Sequence, residues 1–199
     1  AIEFQGNDTL EGGQGADQIW GDGGDDVITG GTEDDYLRGD SINAPFAQHG
    51  RDTLDGGEGN DTVAGDGGDD VVMGGAGNDT LLGDIEGIPE ENQGNDLVLG
   101  GQGNDLVDGG AGDDTLRGEE DDDILWGQAG ADVLDGGAGK DGLLGGEGAD
   151  SLTGGGGTDL LKGEAGDDTY FFNLGDSPLS DLGQYEGIVD EDGSNVVRF

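Results

Sequence analysis

The stretch GGQGNDLVDGGAGDDTLRG, Gly100 to Gly118, holds one unit written twice. A glycine-rich turn is followed by an aspartate and a short apolar triplet, and the pattern returns after nine residues. The aspartates carry the register along the chain. Asp8, Asp17, Asp26 and Asp35 are nine apart, as are Asp52, Asp61, Asp70 and Asp79. Asp96, Asp105, Asp114, Asp123, Asp132, Asp141, Asp150, Asp159 and Asp168 continue at the same spacing. Two residues after each lies an apolar side chain, from Leu10 and Ile19 to Leu161 and Tyr170, which makes seventeen repeats of the form G-G-x-G-x-D-x-U-x. The two breaks, 35 to 52 and 79 to 96, are each nine plus an insertion of eight.

Composition alone points elsewhere. The chain has 199 residues, 48 acidic and 6 basic side chains, a formal charge of −42 and 49 glycines. Such figures describe a disordered acidic chain, and only the repeat argues against that. The charge makes nucleic acid and anionic membrane poor partners and cations good ones. There is no cysteine, hence neither a disulfide framework nor a thiolate site, and no apolar run approaches a membrane span. The start, AIEFQGNDT, shows no initiator Met and no secretory signal, so the chain is read as a piece of something larger.

The physics of one repeat is legible. Glycines admit positive φ, so G-G-x-G forms a tight turn that aims carbonyl oxygens inward. The x-U-x triplet is a minimal strand with U on one face. Stacked parallel copies bury a column of U side chains, with two repeats per coil and like turns about 4.8 Å apart. One aliphatic side chain per nine residues does not offset the ordering of so glycine-rich a chain. The stacked carboxylates also repel, by about 1 kcal/mol per pair at roughly 5 Å in water. A hard divalent cation between turns reverses that sign. Carboxylate and carbonyl oxygens suit Ca²⁺, Mg²⁺ demands a stricter octahedron, and no histidine or cysteine cluster exists for zinc or copper.

The expected metal ligands are therefore the turn aspartates Asp8, Asp17, Asp26, Asp61, Asp70, Asp79, Asp96, Asp105, Asp114, Asp132, Asp141, Asp150, Asp159 and Asp168. With them go the turn glycines Gly57, Gly59, Gly75, Gly77, Gly101, Gly103, Gly110, Gly112, Gly137, Gly139, Gly146, Gly148, Gly155 and Gly157. Pairs of like turns set a ceiling of about fifteen ions, eight on one edge and seven on the other, and the expected number is about seven to fifteen. Glu33 and Asp121 replace the glycine two residues before the aspartate, so weaker sites are expected there. Asp22, Asp40, Asp66, Asp84, Glu119, Gln128 and Glu164 replace the second glycine of the pair. Acid is expected to unload the ions from about pH 5 downward.

GGAGNDTLL (74–82), GGQGNDLVD (100–108), GGAGDDTLR (109–117) and GGEGADSLT (145–153) resemble the glycine-rich nonapeptides of the repeats-in-toxin (RTX) family. The resemblance implies an all-β fold: a parallel β-roll over residues 3–171 with calcium in its turns. It implies a capping segment at 172–199, whose Phe172, Tyr185 and Phe199, with Tyr170 and Phe171 just before it, would cover the open end of the roll. It also implies a secreted bacterial protein, extracellular or on the cell surface, exported unfolded by type I secretion machinery and folded by extracellular calcium. Two other readings stay open: an adhesive or ligand-binding module, and an accessory module of a secreted enzyme or cytolysin.

The insertions SINAPFAQH (41–49) and IEGIPEENQ (85–93) are the only individual features. Blocks 21–61 and 65–105 match at an offset of 44, so both stem from one duplication and lie on the same edge. Their apolar residues predict contact between Phe46 and the Ile85–Ile88 segment, with ion sites disturbed beneath. They are read as tolerated loops, the alternative being a surface ligand patch. No catalytic function is expected. The lone His49 reads as an incidental loop residue, and there is no HExxH, GxSxG or P-loop. DEDGSNVVRF has its glycine at loop position four rather than six, so it is no EF-hand. Trp20 and Trp126 read as surface packing rather than a sugar platform. The turns lack a Thr-x-Asn ladder for ice, and six scattered cations make no face for an acidic polysaccharide.

Overall fold

The alternation of the x-U-x triplet decides the architecture, because a strand with one apolar face must stack that face against another. The computed structural model describes residues 6–41, 45, 48–85, 87–171, 187–188 and 196–198. One sheet is built from β1 (Thr9–Gln14), β3 (Val27–Thr32), β5 (Thr53–Glu58), β7 (Val71–Ala76), β9 (Leu97–Gln102), β11 (Thr115–Glu120), β13 (Val133–Gly139), β15 (Ser151–Gly157), β17 (Thr169–Phe171) and β19 (Val196–Arg198). The other holds β2 (Gln18–Asp22), β4 (Tyr36–Asp40), β6 (Thr62–Asp66), β8 (Thr80–Asp84), β10 (Leu106–Ala111), β12 (Ile124–Ala129), β14 (Gly142–Glu147), β16 (Leu160–Ala165) and β18 (Gly187–Ile188). Odd strands pair only with odd and even only with even, always in parallel. Two repeats thus make one coil, and the chain is a parallel β-roll of about nine turns.

The register keeps like positions in line: Leu54 pairs with Val72 and Leu134 with Leu152 in one sheet, Val107 with Leu125 in the other. The U side chains from Ile28 to Tyr170 form a single buried core, with Leu10 and Ile19 only partly covered. These two belong to the first coil among the described residues. At the other end the Tyr170 hydroxyl accepts the Gly163 N–H at 2.8 Å. Most of the expected capping segment, including Phe172, Tyr185 and Phe199, lies outside the described residues. Its two described pieces, β18 and β19, each extend one sheet by a strand.

Both insertions connect an even strand to an odd one, β4 to β5 and β8 to β9, and so leave from the same edge. We call it the insertion edge and its opposite the plain edge. The second insertion contains a single 3₁₀ turn, Glu90–Asn92. Phe46, on which the expected contact between insertions rests, is outside the described residues. The described parts converge elsewhere: a Cβ placed on Gly67 would lie 2.9 Å from His49 Nδ1 and 3.4 Å from Ile88 Cδ1.

Candidate metal centre

The turns take their shape from residues that accept left-handed backbone. Gly57, Gly59, Gly75, Gly77, Gly101, Gly103, Gly110, Gly112, Gly137, Gly139, Gly146, Gly148, Gly155 and Gly157 all have positive φ. Glu33 and Asp121 adopt the same conformation, each at φ 75°, so these turns keep their form at a local steric cost. Asp22, Asp66, Glu119, Gln128 and Glu164 are also left-handed, between 71° and 85°. Asp40 and Asp84, where the insertions begin, are not.

This geometry stacks the turn aspartates into two ladders. On the insertion edge the N–H of Asp8 donates to Asp26 Oδ1, and the relay continues through Asp52, Asp70, Asp96, Asp114, Asp132, Asp150 and Asp168, at 2.7–3.0 Å. On the plain edge it runs Asp17, Asp35, Asp61, Asp79, Asp105, Asp123, Asp141, Asp159 over the same range. Asp35, Asp52 and Asp123, absent from the expected ligands, stand in the ladders on equal terms. The insertion-edge ladder of hydrogen bonds also passes unbroken beneath both insertions.

Each hydrogen bond uses one carboxylate oxygen and leaves the other. From Asp17 to Asp150, fourteen turn aspartates bury an Oδ2 with no hydrogen-bond partner. The surroundings of that oxygen identify glycines that sequence reasoning missed. A Cβ on Gly56 would lie 2.4 Å from Asp61 Oδ2 and 2.7 Å from the Gly74 carbonyl; on Gly100, 2.5 Å from Asp105 Oδ2 and 2.6 Å from the Gly118 carbonyl. The first glycine of each repeat thus leaves open the space between a carboxylate oxygen and the carbonyl of the first glycine one coil on. The signal was present in the sequence. From Gly12 to Gly163 this position is glycine in every repeat, whereas the second and fourth positions are not.

A second ladder runs outside the first. The residue before the turn aspartate, when Asn or Asp, accepts the backbone N–H of its counterpart in the next coil. Asn60 Oδ1 takes the Asn78 N–H at 2.9 Å, and Asn78 Oδ1 the Asn104 N–H at 2.8 Å. It ends where Ala131 and Lys140 supply no such acceptor.

The inner carboxylates sit where ionisation is costly. Burial is the first cause of every upward shift. It puts Asp79, Asp105, Asp141 and Asp150 at about 6, and Asp52, Asp96, Asp123 and Asp132 at about 7. Asp114 reaches about 8 and Asp70 about 10, with neighbouring carboxylates adding to burial. Asp26 and Asp61 are raised for the same reason. A divalent cation removes this cost by replacing water as the partner of the charge. Among the described residues no three carboxylate or imidazole groups converge on one point. A turn therefore offers one or two carboxylates plus backbone carbonyls, an oxygen-only donor set that fits calcium better than zinc.

His49, read from sequence as an incidental loop residue, is turned inward. Its side chain is 2% exposed, with Nδ1 at 3.6 Å from Asp40 Oδ2. Trp20 is partly exposed and meets the Tyr36 ring at 6.0 Å between centroids, in keeping with surface packing.

The same repeat is what the chain shares with known proteins. No curated protein sequence matches the chain. A family model described as the RTX calcium-binding nonapeptide repeat, in four copies, matches residues 4–37, 50–81, 92–116, 108–143 and 144–177. These segments cover well over half of the sequence and contain both carboxylate ladders, and the chain belongs to the RTX calcium-binding repeat family.

Proposed function

We propose that the chain is a calcium-dependent folding module: disordered when calcium is scarce, as in a cytoplasm, and wound into the roll by calcium outside the cell. RTX repeats are calcium-binding units of a structural, non-catalytic type, and they occur in secreted bacterial proteins. One observation carries the reading. From Asp17 to Asp150 the buried Oδ2 of the turn aspartate has no hydrogen-bond partner, and at turns such as those of Asp61, Asp79 and Asp105 it faces a glycine carbonyl across a gap that a Cβ would fill. The ligands are the Oδ2 atoms of the turn aspartates, with Asp35, Asp52 and Asp123 added to those named from sequence, and backbone carbonyls of the turn glycines, those of the first position included. The fifteen ladder steps set the ceiling on ions shared between coils. When bound, calcium supplies charge compensation and cross-links successive coils. The chain's own residues set the spacing, exclude side chains from the cradle and bury the U column.

On this reading the roll spans residues 3–171 and the segment 172–199, most of it outside the described residues, serves as its cap. Coupling to export follows from physics: an unfolded polyanion threads a narrow conduit, and folding outside opposes its return. On this reading the module belongs to a secreted bacterial protein moved by type I machinery. Far-UV circular dichroism tests the core of this. In chelator at pH 7.5 the chain should show a disordered spectrum, and in millimolar calcium a β spectrum, with magnesium failing to substitute. A roll that stays folded in chelator at that pH overturns the reading.

A further inference from the structure

The duplication places two buried aspartates in equivalent positions and gives them different surroundings. Asp40 and Asp84, 44 residues apart, each end a strand where an insertion begins, and are 0% and 5% exposed. Asp40 Oδ2 accepts the Gly50 N–H at 3.2 Å, and Asp84 Oδ2 the Gly94 N–H at 3.3 Å. Each bond closes the mouth of its insertion. In both residues Oδ1 is buried with no hydrogen-bond partner.

Around Asp40 the chain supplies nitrogen. His49 Nδ1 is 3.6 Å from its Oδ2. The next coil's Asp66 is gripped by the Arg38 guanidinium, with Nε at 2.9 Å from Oδ2, and the Asp40 N–H donates to that same oxygen at 3.2 Å. At the offset of 44, Arg38 becomes Leu82, His49 becomes Gln93 and Asp66 becomes Gly110. Gln93 Nε2 turns back to the Ile88 carbonyl at 2.7 Å. A Cβ on Gly110 would lie 2.6 Å from Asp84 Cβ and 3.1 Å from its Oδ2, so Asp84 lies over the next coil only because that position is glycine. Among the described residues no cationic side chain pairs with Asp84, and the charges that act on it are the carboxylates of Asp96 and Asp114.

We propose that Asp84 is a ligand of a divalent-cation site particular to the second insertion turn, its Oδ1 joining the Asp96 carboxylate and turn carbonyls, and that the first insertion turn has replaced this site with Arg38 and His49. The proposal rests on the calcium reading above and adds to it. An oxygen-only set selects calcium, and the added carboxylate makes this turn tighter than a regular one. The site should therefore fill first.

Calcium titration of the full chain, by calorimetry and by competition with a chromophoric chelator, tests this with three single variants. Asp84→Asn keeps the side-chain shape, Asp84→Gly restores the repeat's usual glycine, and Asp40→Asn is the paired control. Both Asp84 variants should lose one equivalent from the tightest class, or need at least tenfold more calcium to fill it, and still fold at saturating calcium. Asp40→Asn should leave that class intact. The triple variant Arg38→Leu, His49→Gln, Asp66→Gly, which rebuilds the first turn as a copy of the second, should gain a tight equivalent. Wild-type behaviour of both Asp84 variants overturns the proposal, as does an equal loss in Asp40→Asn. Failure of both Asp84 variants to fold at any calcium concentration also counts against it, because excess ion rescues a weakened site. If instead the wild-type chain binds no calcium, it is the calcium reading that fails.

Discussion

The two edges of the roll break the repeat at different glycines. On the plain edge the second glycine is lost once, at Glu119, and the fourth twice, at Glu33 and Asp121. On the insertion edge the fourth is always kept, while the second gives way to Asp22, Asp40, Asp66, Asp84, Gln128 and Glu164. The insertion edge thus adds a column of acids beside the turn aspartates, and two loops above them. Burial makes its middle carboxylates harder to ionise, Asp70 at about 10 and Asp114 at about 8 against about 6 for Asp79 and Asp105, while further along Asp150 at about 6 and Asp123 at about 7 bring the edges level. From Gly12 to Gly163 both edges keep the first glycine in every repeat. The difference separates what the ion cradle requires from what the turn tolerates: the cradle needs an open first position, and the backbone bend can be made at some expense by other residues.

The largest expected effect follows from that shared requirement. Gly74→Ala on the plain edge would set a Cβ 2.4 Å from Asp79 Oδ2 and 2.6 Å from the Gly100 carbonyl. Gly83→Ala on the insertion edge would set one 2.2 Å from Asp96 Oδ2 and 2.4 Å from the Gly109 carbonyl. Neither contact can relax without moving backbone or the ladder carboxylate. Each change should raise the calcium needed for folding at least tenfold, or abolish folding, read by circular dichroism across a calcium titration. If either variant titrates like wild type, the first glycine is not part of the cradle on that edge.

Next in size is the response to acid without calcium, where the two edges should differ. A carboxyl whose folded pKa is raised stabilises the fold only while it holds its proton. That contribution is complete below the unfolded value near 3.8 and fades as pH rises to the folded value, about 6 for Asp79 but about 10 for Asp70. In chelator the chain should therefore gain β structure as pH falls from 8 toward 4. This is the reverse of its behaviour with limiting calcium, where protons compete with the ion. Because folded values begin near 6, that competition should set in nearer neutrality than the pH 5 expected from ordinary carboxylates. Asn at Asp70, Asp96 and Asp114 removes the cost of ionisation, and should let order in chelator persist to a pH about one unit higher. Asn at Asp79, Asp105 and Asp141 should shift it less. In calcium both triple variants should be weaker than wild type. Equal shifts in chelator would mean that the edges do not differ in burial.

The nine-residue period and the U column made the fold readable from sequence, because a period of that kind has few physical solutions. The turn aspartates were equally plain. Less legible was which glycine matters most. The second and fourth drew attention because a turn needs left-handed backbone, whereas the first has ordinary dihedrals and serves only by lacking a Cβ. His49 was misread for a related reason. Nothing local to SINAPFAQH (41–49) says that its last residue turns inward beside Asp40 and Gly67, since those neighbours arrive only when the coils stack.

A smaller effect bears on Glu33. From sequence, Asp35→Ala beside Glu33 should matter less than Asp150→Ala. The structure removes the ground for that ranking, since Asp35 is 4% exposed and receives the Asp17 N–H at 2.7 Å, much as Asp150 receives that of Asp132 at 2.9 Å. Both substitutions should raise the calcium midpoint by similar factors, about three- to tenfold. A change confined to Asp150→Ala would restore the ranking and mark the Glu33 turn as a weak point of the plain edge.

The smallest expected effect isolates backbone strain from ligation. Glu33 holds φ 75° on the plain edge and Asp66 holds φ 85° on the insertion edge, conformations that glycine adopts at less cost. If strain were all that mattered, glycine would help at both. Asp66, however, also accepts from Arg38 Nε at 2.9 Å and from the Asp40 N–H at 3.2 Å, whereas among the described residues the Glu33 side chain has no such grip. Glu33→Gly should therefore stabilise the calcium-loaded roll by about 0.5–1 kcal/mol, seen as a higher melting temperature at fixed calcium. Asp66→Gly should destabilise it, because the half-buried guanidinium of Arg38 loses its partner. Should both variants gain stability, the acid column on the insertion edge is a tolerated departure from glycine rather than a built contact, and the difference between the edges reduces to their loops.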